Sequence, residues 1–335
     1  MPVMTLERHH AQTQEIDERP QGYLGPDLNP DGLALEPREL APGVHALLAN
    51  QMPKDNNGLI VGERAALVVD AGINGTIARQ IQALAQRLTD RPVRYLANTT
   101  YHGDHTFGNS AFSSQVTILS SALNRASMLD LAREKRIRGR NLRGNLAALD
   151  DVLEWRRPDI VFDHYLQVDL GGRIVELWHF GPGNAPGDTI VYVPDARVAW
   201  TGNFLPRAGI APMLLEGGPD PYVETLLAMQ RTLDPSTIIV PGHGPMGEAG
   251  PAIDWLVGYL RDLSASVRQA LADGLDAGTA VATSPIPERY SLPPQAPQAA
   301  ELSNLMQHLH RLNVLATYRA LRAEADAGGP ARTAA

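Results

Sequence analysis

Four short β-rich runs in this chain each end in a turn that carries a ligand-type or hydrogen-bonding side chain. No other feature constrains the fold as much. VRYLANTT leads into His102-Gly103-Asp104-His105, and RIVELWHF leads into the glycine-rich GPGNAPGD with Asn184. RVAWTGN carries Asn203, and TIIVPGHGP carries His243. A strand that stops at such a turn presents the side chain at the rim of its sheet. GVHALLAN, GLIVG and AALVVDAG read as three further strands ahead of these, and TIVYVP as one between RIVELWHF and RVAWTGN. Between AALVVDAG and VRYLANTT, Ile77, Ile81, Leu84 and Leu88 recur at helical spacing behind a capping Asn74 or Thr76. YVETLLAMQRTL and AIDWLVGYLRDLSASVRQAL repeat that pattern in the second half, and the stretch from Ser120 to Trp155 reads as helices carrying a basic loop. Strands with interleaved helices in both halves predict layers of helix packed on sheet.

Composition narrows the chemistry. The chain has 335 residues and no cysteine, which removes disulfides, iron–sulfur clusters and thiolate zinc sites. Any metal must then be held by His, Asp, Glu or Asn. The net charge of -8 argues against a nucleic-acid partner. No run approaches the roughly 18 apolar residues of a membrane span, and the N-terminus lacks the apolar core of a secretory signal, so the expected setting is cytoplasmic. The basic run REKRIRGRNLR, residues 133–143, reads first as a solvated helix end followed by a loop. Its alternative reading is a cationic lip for an anionic small-molecule substrate.

The expected organisation is a polar N-terminal arm over 1–35, which includes the pair His9-His10, a main unit over 36–250, a helical elaboration of the same domain over 251–325, and a flexible tail over 326–335. Five prolines make 283–298 extended. The last helix carries Leu302, Leu305, Leu309, Leu312 and Tyr318 as a core-facing seam, and the helices after 250 would shape the pocket or make a homo-oligomer contact. His308 and His310 are two apart on it and cannot share a metal.

Imidazole and carboxylate in HGDH suit zinc first, with iron and manganese as alternatives. Over roughly residues 40–250 the four turns in this order, with VVDAG ahead of them, resemble the metallo-β-lactamase-fold hydrolase superfamily. The resemblance implies a four-layer αβ/βα sandwich with additional C-terminal helices and a metal site at one sheet edge. It assigns Asp70 as a buried carboxylate supporting the metal loop. In the family pattern one metal site takes three histidines, which fall here on Thr100, His102 and Asn184. The other takes an aspartate and two histidines, retained here as Asp104, His105 and His243. The carboxylate that bridges the two metals falls on Asn203. Two cations close together repel, and replacing a carboxylate by Asn and two histidines by Thr and Asn removes both charge compensation and donors. One divalent metal on Asp104, His105 and His243 is the expectation.

The function this implies is a mononuclear hydrolase that cleaves an ester, lactone, thioester or amide bond in a small molecule. His102 would act as general base or acid, and Thr100, Tyr101, Asn184 and Asn203 would hydrogen-bond the substrate or the developing oxyanion. His179 and Asp188 would support the site from behind, and Arg207 and Met213, on a lid-like Gly/Pro-rich loop, would face the substrate. Two alternatives stand beside it: a non-hydrolytic metalloenzyme (a non-haem iron oxygenase, a lyase or an isomerase), and a catalytically degenerate ligand-binding member. Trp178, Trp200 and Phe204 read as core packing.

Overall fold

A computed structural model describes residues 18–214, 216–290 and 299–328. Thirteen strands among these residues form two mixed sheets. Strands β1 (Leu35–Ala41), β2 (Val44–Ala49), β3 (Asn57–Val61), β4 (Ala66–Val69), β5 (Val93–Ala97), β6 (Thr117–Ser121) and β7 (Ile160–Phe162) lie in sequence order in the first sheet. It is antiparallel up to β4 and parallel from β4 to β7. The second sheet runs β13 (Gly247–Glu248), β12 (Ile238–Pro241), β11 (Val198–Gly202), β10 (Ile190–Val193), β9 (Ile174–Trp178) and β8 (Tyr165–Asp169). There β11 and β12 are the parallel pair.

Helix α1 (Gly75–Leu88) follows β4, and the short α2 (Gly103–Thr106) follows β5. α3 (Ala122–Ser127) and α4 (Leu131–Gly139) lie between β6 and β7. α5 (Pro219–Thr232) joins β11 to β12, and α6 (Ala249–Ala272), α7 (Ala277–Thr283) and α8 (Ala299–Gly328) close the chain. The side chain of Asn74 caps α1 by accepting from the Ile77 amide.

Strand alternation builds the layers. In the first sheet Leu59, Val68 and Leu96 face α1 and pack with its Ile77, Ile81 and Leu84. Their neighbours Ile60, Leu67 and Val69 turn the other way, onto Leu177, Val191 and Trp200 of the second sheet. The outward side of that second sheet, with Tyr192, Ala199 and Ile239, packs against Leu226 of α5, Leu256 of α6 and Leu315 of α8. The order is therefore helix, sheet, sheet, helix, which is the expected four-layer sandwich. Trp200 and Phe204 are core residues, each 2% exposed.

Several elements differ from the sequence reading. β1, β6, β7, β8 and β13 are strands where no strand was expected, and residues 144–155 are turns, irregular chain and a single 3-10 turn (Leu146–Leu149) instead of helix. The segment before β1 is not a free arm where it is described: Leu28 and Leu33 are buried in the α1 layer, and the Leu24 amide donates to His308 Nδ1 at 3.2 Å. The remainder of the expected arm, with His9-His10, and of the tail lies outside the described residues, as does 291–298 of the proline-rich stretch. α8 continues to Gly328, beyond the expected boundary at 325. Among the described residues no helix is long and apolar enough to cross a membrane.

Candidate metal centre

The parallel strands of both sheets end on the same side, and their turns meet there. Asp70 follows β4, Thr100 to His105 follow β5, Asn203 follows β11 and His243 follows β12. Close backbone approach makes this convergence possible. Gly202 takes φ +50°, and a Cβ on Gly242 would sit 2.6 Å from His105 Cε1, so only glycine lets the β12 turn approach that ring. Gly103 serves packing: a Cβ there would lie 2.3 Å from the Phe107 ring.

Each histidine of the retained site is aimed by its far nitrogen. His105 Nδ1 donates to Asp70 Oδ2 at 2.9 Å, and Asp70 is itself held by the Thr99 amide at 2.8 Å and the Thr99 hydroxyl at 2.7 Å. His243 Nδ1 donates to the Pro53 carbonyl at 2.7 Å. Both Nε2 atoms therefore turn toward Asp104 Oδ2, at 3.8 Å for His105 and 3.2 Å for His243. Asp104 is 1% exposed. Burial alone would raise its pKa, but His105, His243 and Arg138 around it hold it well below the usual carboxylate range. Burial likewise opposes a charge on His105, and the carboxylates of Asp70, Asp104 and Asp55 overcome this and lift it to about 10.

The residues fit a divalent cation. Two imidazoles with committed Nδ1 hydrogens offer Nε2 as a ligand once its proton leaves, the arrangement in which an outer carboxylate or carbonyl fixes the tautomer. Asp104 Oδ1 is buried with no hydrogen-bond partner among the described residues. Asp55 joins the cluster: one ligand atom each from Asp55, Asp104, His105 and His243 lies within 4.8 Å of the others. Burial pushes the Asp55 carboxyl up to about 7 despite the neighbouring His243. The sequence reading missed Asp55. Its only sequence signal is the polar triplet Asp55-Asn56-Asn57 immediately ahead of an apolar strand.

Asn203 stands between two histidines, its Oδ1 accepting from His105 Nε2 at 3.1 Å and its Nδ2 donating to His102 Nδ1 at 3.0 Å. Burial and the nearby Arg138 keep the His102 pKa well below 6.5, so the ring is neutral, with Nε2 buried and unpartnered among the described residues. The Nδ2 of Asn184 donates to the Met213 carbonyl, which leaves its Oδ1 buried without a partner there.

These groups form the floor of a cavity of about 750 Å³, part of it open to solvent. His102, Asp104, Asn184, Asn203 and His243 line it below, and Met213, Ile210, Leu302, Leu305 and Leu309 wall it above. The first half of the α8 leucine stripe is thus a cavity wall, while Leu312 continues into the core. Thr100, Tyr101 and Arg207 are not among the lining residues. Thr100 is fully buried, the Tyr101 hydroxyl donates to Glu216 at 2.6 Å, and the Arg207 stem lies against Gly247. His179 Nδ1 donates to the Asp188 carbonyl at 2.9 Å, and Asp188 Oδ2 accepts from the Ala185 amide at 2.9 Å, so both stand behind the Asn184 turn. Burial pushes Asp188 up to about 7. In the basic run, Arg138 is buried, binds Glu134 at 2.8 Å and lines the cavity, whereas Arg140 and Arg143 are exposed. Arg138 is the one residue of this run that lines the cavity itself, and Arg140 and Arg143 line clefts that adjoin it through Arg138, Met213, Met52 and Leu302.

A family model, the metallo-beta-lactamase superfamily, matches residues 55–243. The chain belongs to the metallo-β-lactamase superfamily. Its matched stretch begins and ends on two members of the cluster, Asp55 and His243. A linear primary-alkylsulfatase of Pseudomonas sp. (strain ATCC 19151) is 21% identical over 70% of this chain and 50% of its own length. The chain therefore spans about half the length of that curated relative. The fold is shared with a metallo-beta-lactamase from Pontibacter korlensis, at TM-score 0.54 and 17% identity over 68% of this chain and 100% of that one. It is shared also with the stereoselective inverting sec-alkylsulfatase Pisa1 from Pseudomonas sp., at TM-score 0.62 and 16% identity over 90% of this chain and 52% of that one.

Proposed function

We propose that this superfamily member is a hydrolase that uses one divalent metal to cleave an ester, lactone, thioester or amide bond in a small molecule with an apolar portion. The observation that carries this reading is the aiming of two imidazole Nε2 atoms and one buried carboxylate at a common point on the floor of a cavity with apolar walls. Asp104, His105 and His243 would hold the ion, zinc by preference, with iron or manganese as the other candidates for this donor set. When bound, it supplies a Lewis acid and lowers the pKa of water toward neutrality.

The protein's own groups do the rest. His102 is neutral and fixed through Nδ1 by Asn203, so proton exchange with the reacting group takes place at its unpartnered Nε2. Asn184 offers Oδ1 as an acceptor that a hydroxyl or amide N–H of the substrate can satisfy, because Met213 holds its amino group. Leu302, Leu305, Leu309, Ile210 and Met213 exclude water and bind the apolar portion. The buried Arg138, 3.8 Å from Asp104 Oδ1, adds positive charge where a substrate anion or developing oxyanion would lie. The alkylsulfatase relative supports a substrate that joins an apolar part to a polar, hydrolysable head.

The test is a turnover panel of alkyl and acyl esters, lactones, thioesters and amides on protein with measured metal content. Turnover that disappears in Asp104→Ala together with the metal is expected. Metal-loaded protein silent across the whole panel would overturn the reading.

A further inference from the structure

Asp55 is the acidic residue at this centre that the family's six metal-binding positions and bridging carboxylate leave unexplained. It lies in the loop between β2 and β3, and that loop is stitched to the turn after β12. The Asn56 amide donates to the Gly242 carbonyl at 2.7 Å, and Asn56 Nδ2 donates to the carbonyls of Pro241 at 2.9 Å and Gly244 at 2.8 Å. Asp55 and His243 themselves pair as an isolated antiparallel bridge. Backbone hydrogen bonds thus hold the carboxylate against the imidazole independently of any attraction between the two side chains.

One oxygen of that carboxylate is left without a hydrogen bond. Asp55 is 3% exposed, and its Oδ1 lies 3.1 Å from His243 Nδ1, but that nitrogen gives its hydrogen to Pro53. Oδ1 therefore has no hydrogen-bond partner among the described residues, and Asp104 Oδ1 is in the same condition. A buried carboxylate oxygen without a donor is costly, and such groups are retained where a cation or a partner answers them. The two carboxylates, each with one oxygen left without a hydrogen bond, flank one histidine, and ligand atoms from Asp55, Asp104, His105 and His243 fall within 4.8 Å of one another.

We propose that Asp55 is a fourth protein ligand of the metal, making a two-histidine, two-carboxylate site. The inference rests on the reading of this centre as a metal site and deepens it. Asp55 supplies the second negative charge that Asn203 lacks, so a divalent ion is neutralised from the β2–β3 side instead of from β11. The single-metal expectation then gains a positive cause as well as the loss of the other site: the available carboxylates converge on one point.

Direct ligation is separable from the alternative, in which Asp55 only orients His243. Asp55→Asn and Asp55→Cys are made in the full chain, and cobalt(II) replaces the native ion. Chelator competition on Asp55→Asn is expected to show metal affinity lowered by more than the roughly 10- to 100-fold that loss of an orienting partner costs. Cobalt-loaded Asp55→Cys is expected to show a thiolate-to-cobalt charge-transfer band in the near ultraviolet, absent from the wild type, which has no cysteine. Wild-type affinity in Asp55→Asn, or cobalt bound by Asp55→Cys without the band, would overturn the proposal. Both readouts are independent of turnover, so a failed hydrolase reading appears in the substrate panel with metal content unchanged, while failure here appears in affinity and spectrum alone.

Discussion

At the scale of single residues, the centre is organised by which nitrogen of each histidine is already committed. His105 and His243 spend Nδ1 on Asp70 and Pro53 and offer Nε2. His102 spends Nδ1 on Asn203 and keeps Nε2 for the cavity. Two different effects of substitution follow. Asp70→Asn leaves the shape but weakens the hold on His105, and metal affinity measured by chelator competition is expected to fall about 10- to 100-fold, with the fold intact by circular dichroism. An unchanged affinity would remove Asp70 from the site. His102→Gln is expected to keep one metal per chain by elemental analysis while turnover falls about 100- to 10,000-fold, the usual contribution of a positioned proton-transfer group. Loss of the metal in that variant would instead place His102 in the ligand set.

At the scale of elements, the strand-end turns were legible because their chemistry is local. HGDH, GNAPGD, TGN and PGHG carry their glycines and polar residues within a few positions of each other, and β3, β4, β5, β9, β10, β11 and β12 all lie where the β-rich runs predicted. β7 and β8 were not legible, because short edge strands with exposed residues such as Ile160, Val161 and Tyr165 lack a clean alternation. Asp55 was invisible for a different reason: its partner is 188 positions away, and the backbone bridge to His243 is set by tertiary packing. The same holds for α8. Its leucine stripe was readable, but whether a leucine meets core or cavity depends on what stands opposite.

His310 on α8 shows a consequence of that packing. Its Nε2 donates to the Ser284 carbonyl at 3.0 Å, so its Nδ1 accepts from the Tyr259 hydroxyl at 3.0 Å. Asn313, one turn on, donates to that hydroxyl at 3.1 Å and to the Pro212 carbonyl at 3.0 Å, and accepts from the Leu214 amide at 2.8 Å. The chain of bonds requires neutral His310, and burial lowers its pKa from 6.5. Between the two pKa values the unfolded chain binds the extra proton, so stability rises with pH there. The contribution is complete above 6.5 and is lost as pH falls through the folded value. His310→Gln keeps a donor for Ser284 and an acceptor for Tyr259 without titrating. Denaturant midpoints measured above and below pH 6.5 are expected to drop less on acidification in this variant than in the wild type; equal drops would contradict the network.

At the scale of the whole molecule, the centre joins the two sheets at their shared rim. Asp55 comes from a loop of the first sheet, Asp104 and His105 from the short α2 after its β5, and His243 from a turn of the second sheet. A cation held by all of them crosses the sandwich where only turns otherwise connect its halves, and it binds the folded chain alone, since the ligands span positions 55 to 243. Mass action then makes global stability a reporter of the site: free metal at about 100 times Kd adds roughly 2.7 kcal/mol. For a chain of this size that corresponds to a rise of several degrees in Tm. Chelation is expected to remove this increment and added zinc to restore it, with the increment growing with the logarithm of free metal. Asp104→Ala is expected to melt at one temperature regardless of metal. If chelation leaves the wild-type Tm unmoved while elemental analysis shows the ion gone, the ion does not discriminate between the folded and unfolded chain, and a site assembled only by the fold is ruled out. If Asp104→Ala still responds to zinc, the stabilising ion lies elsewhere in the molecule.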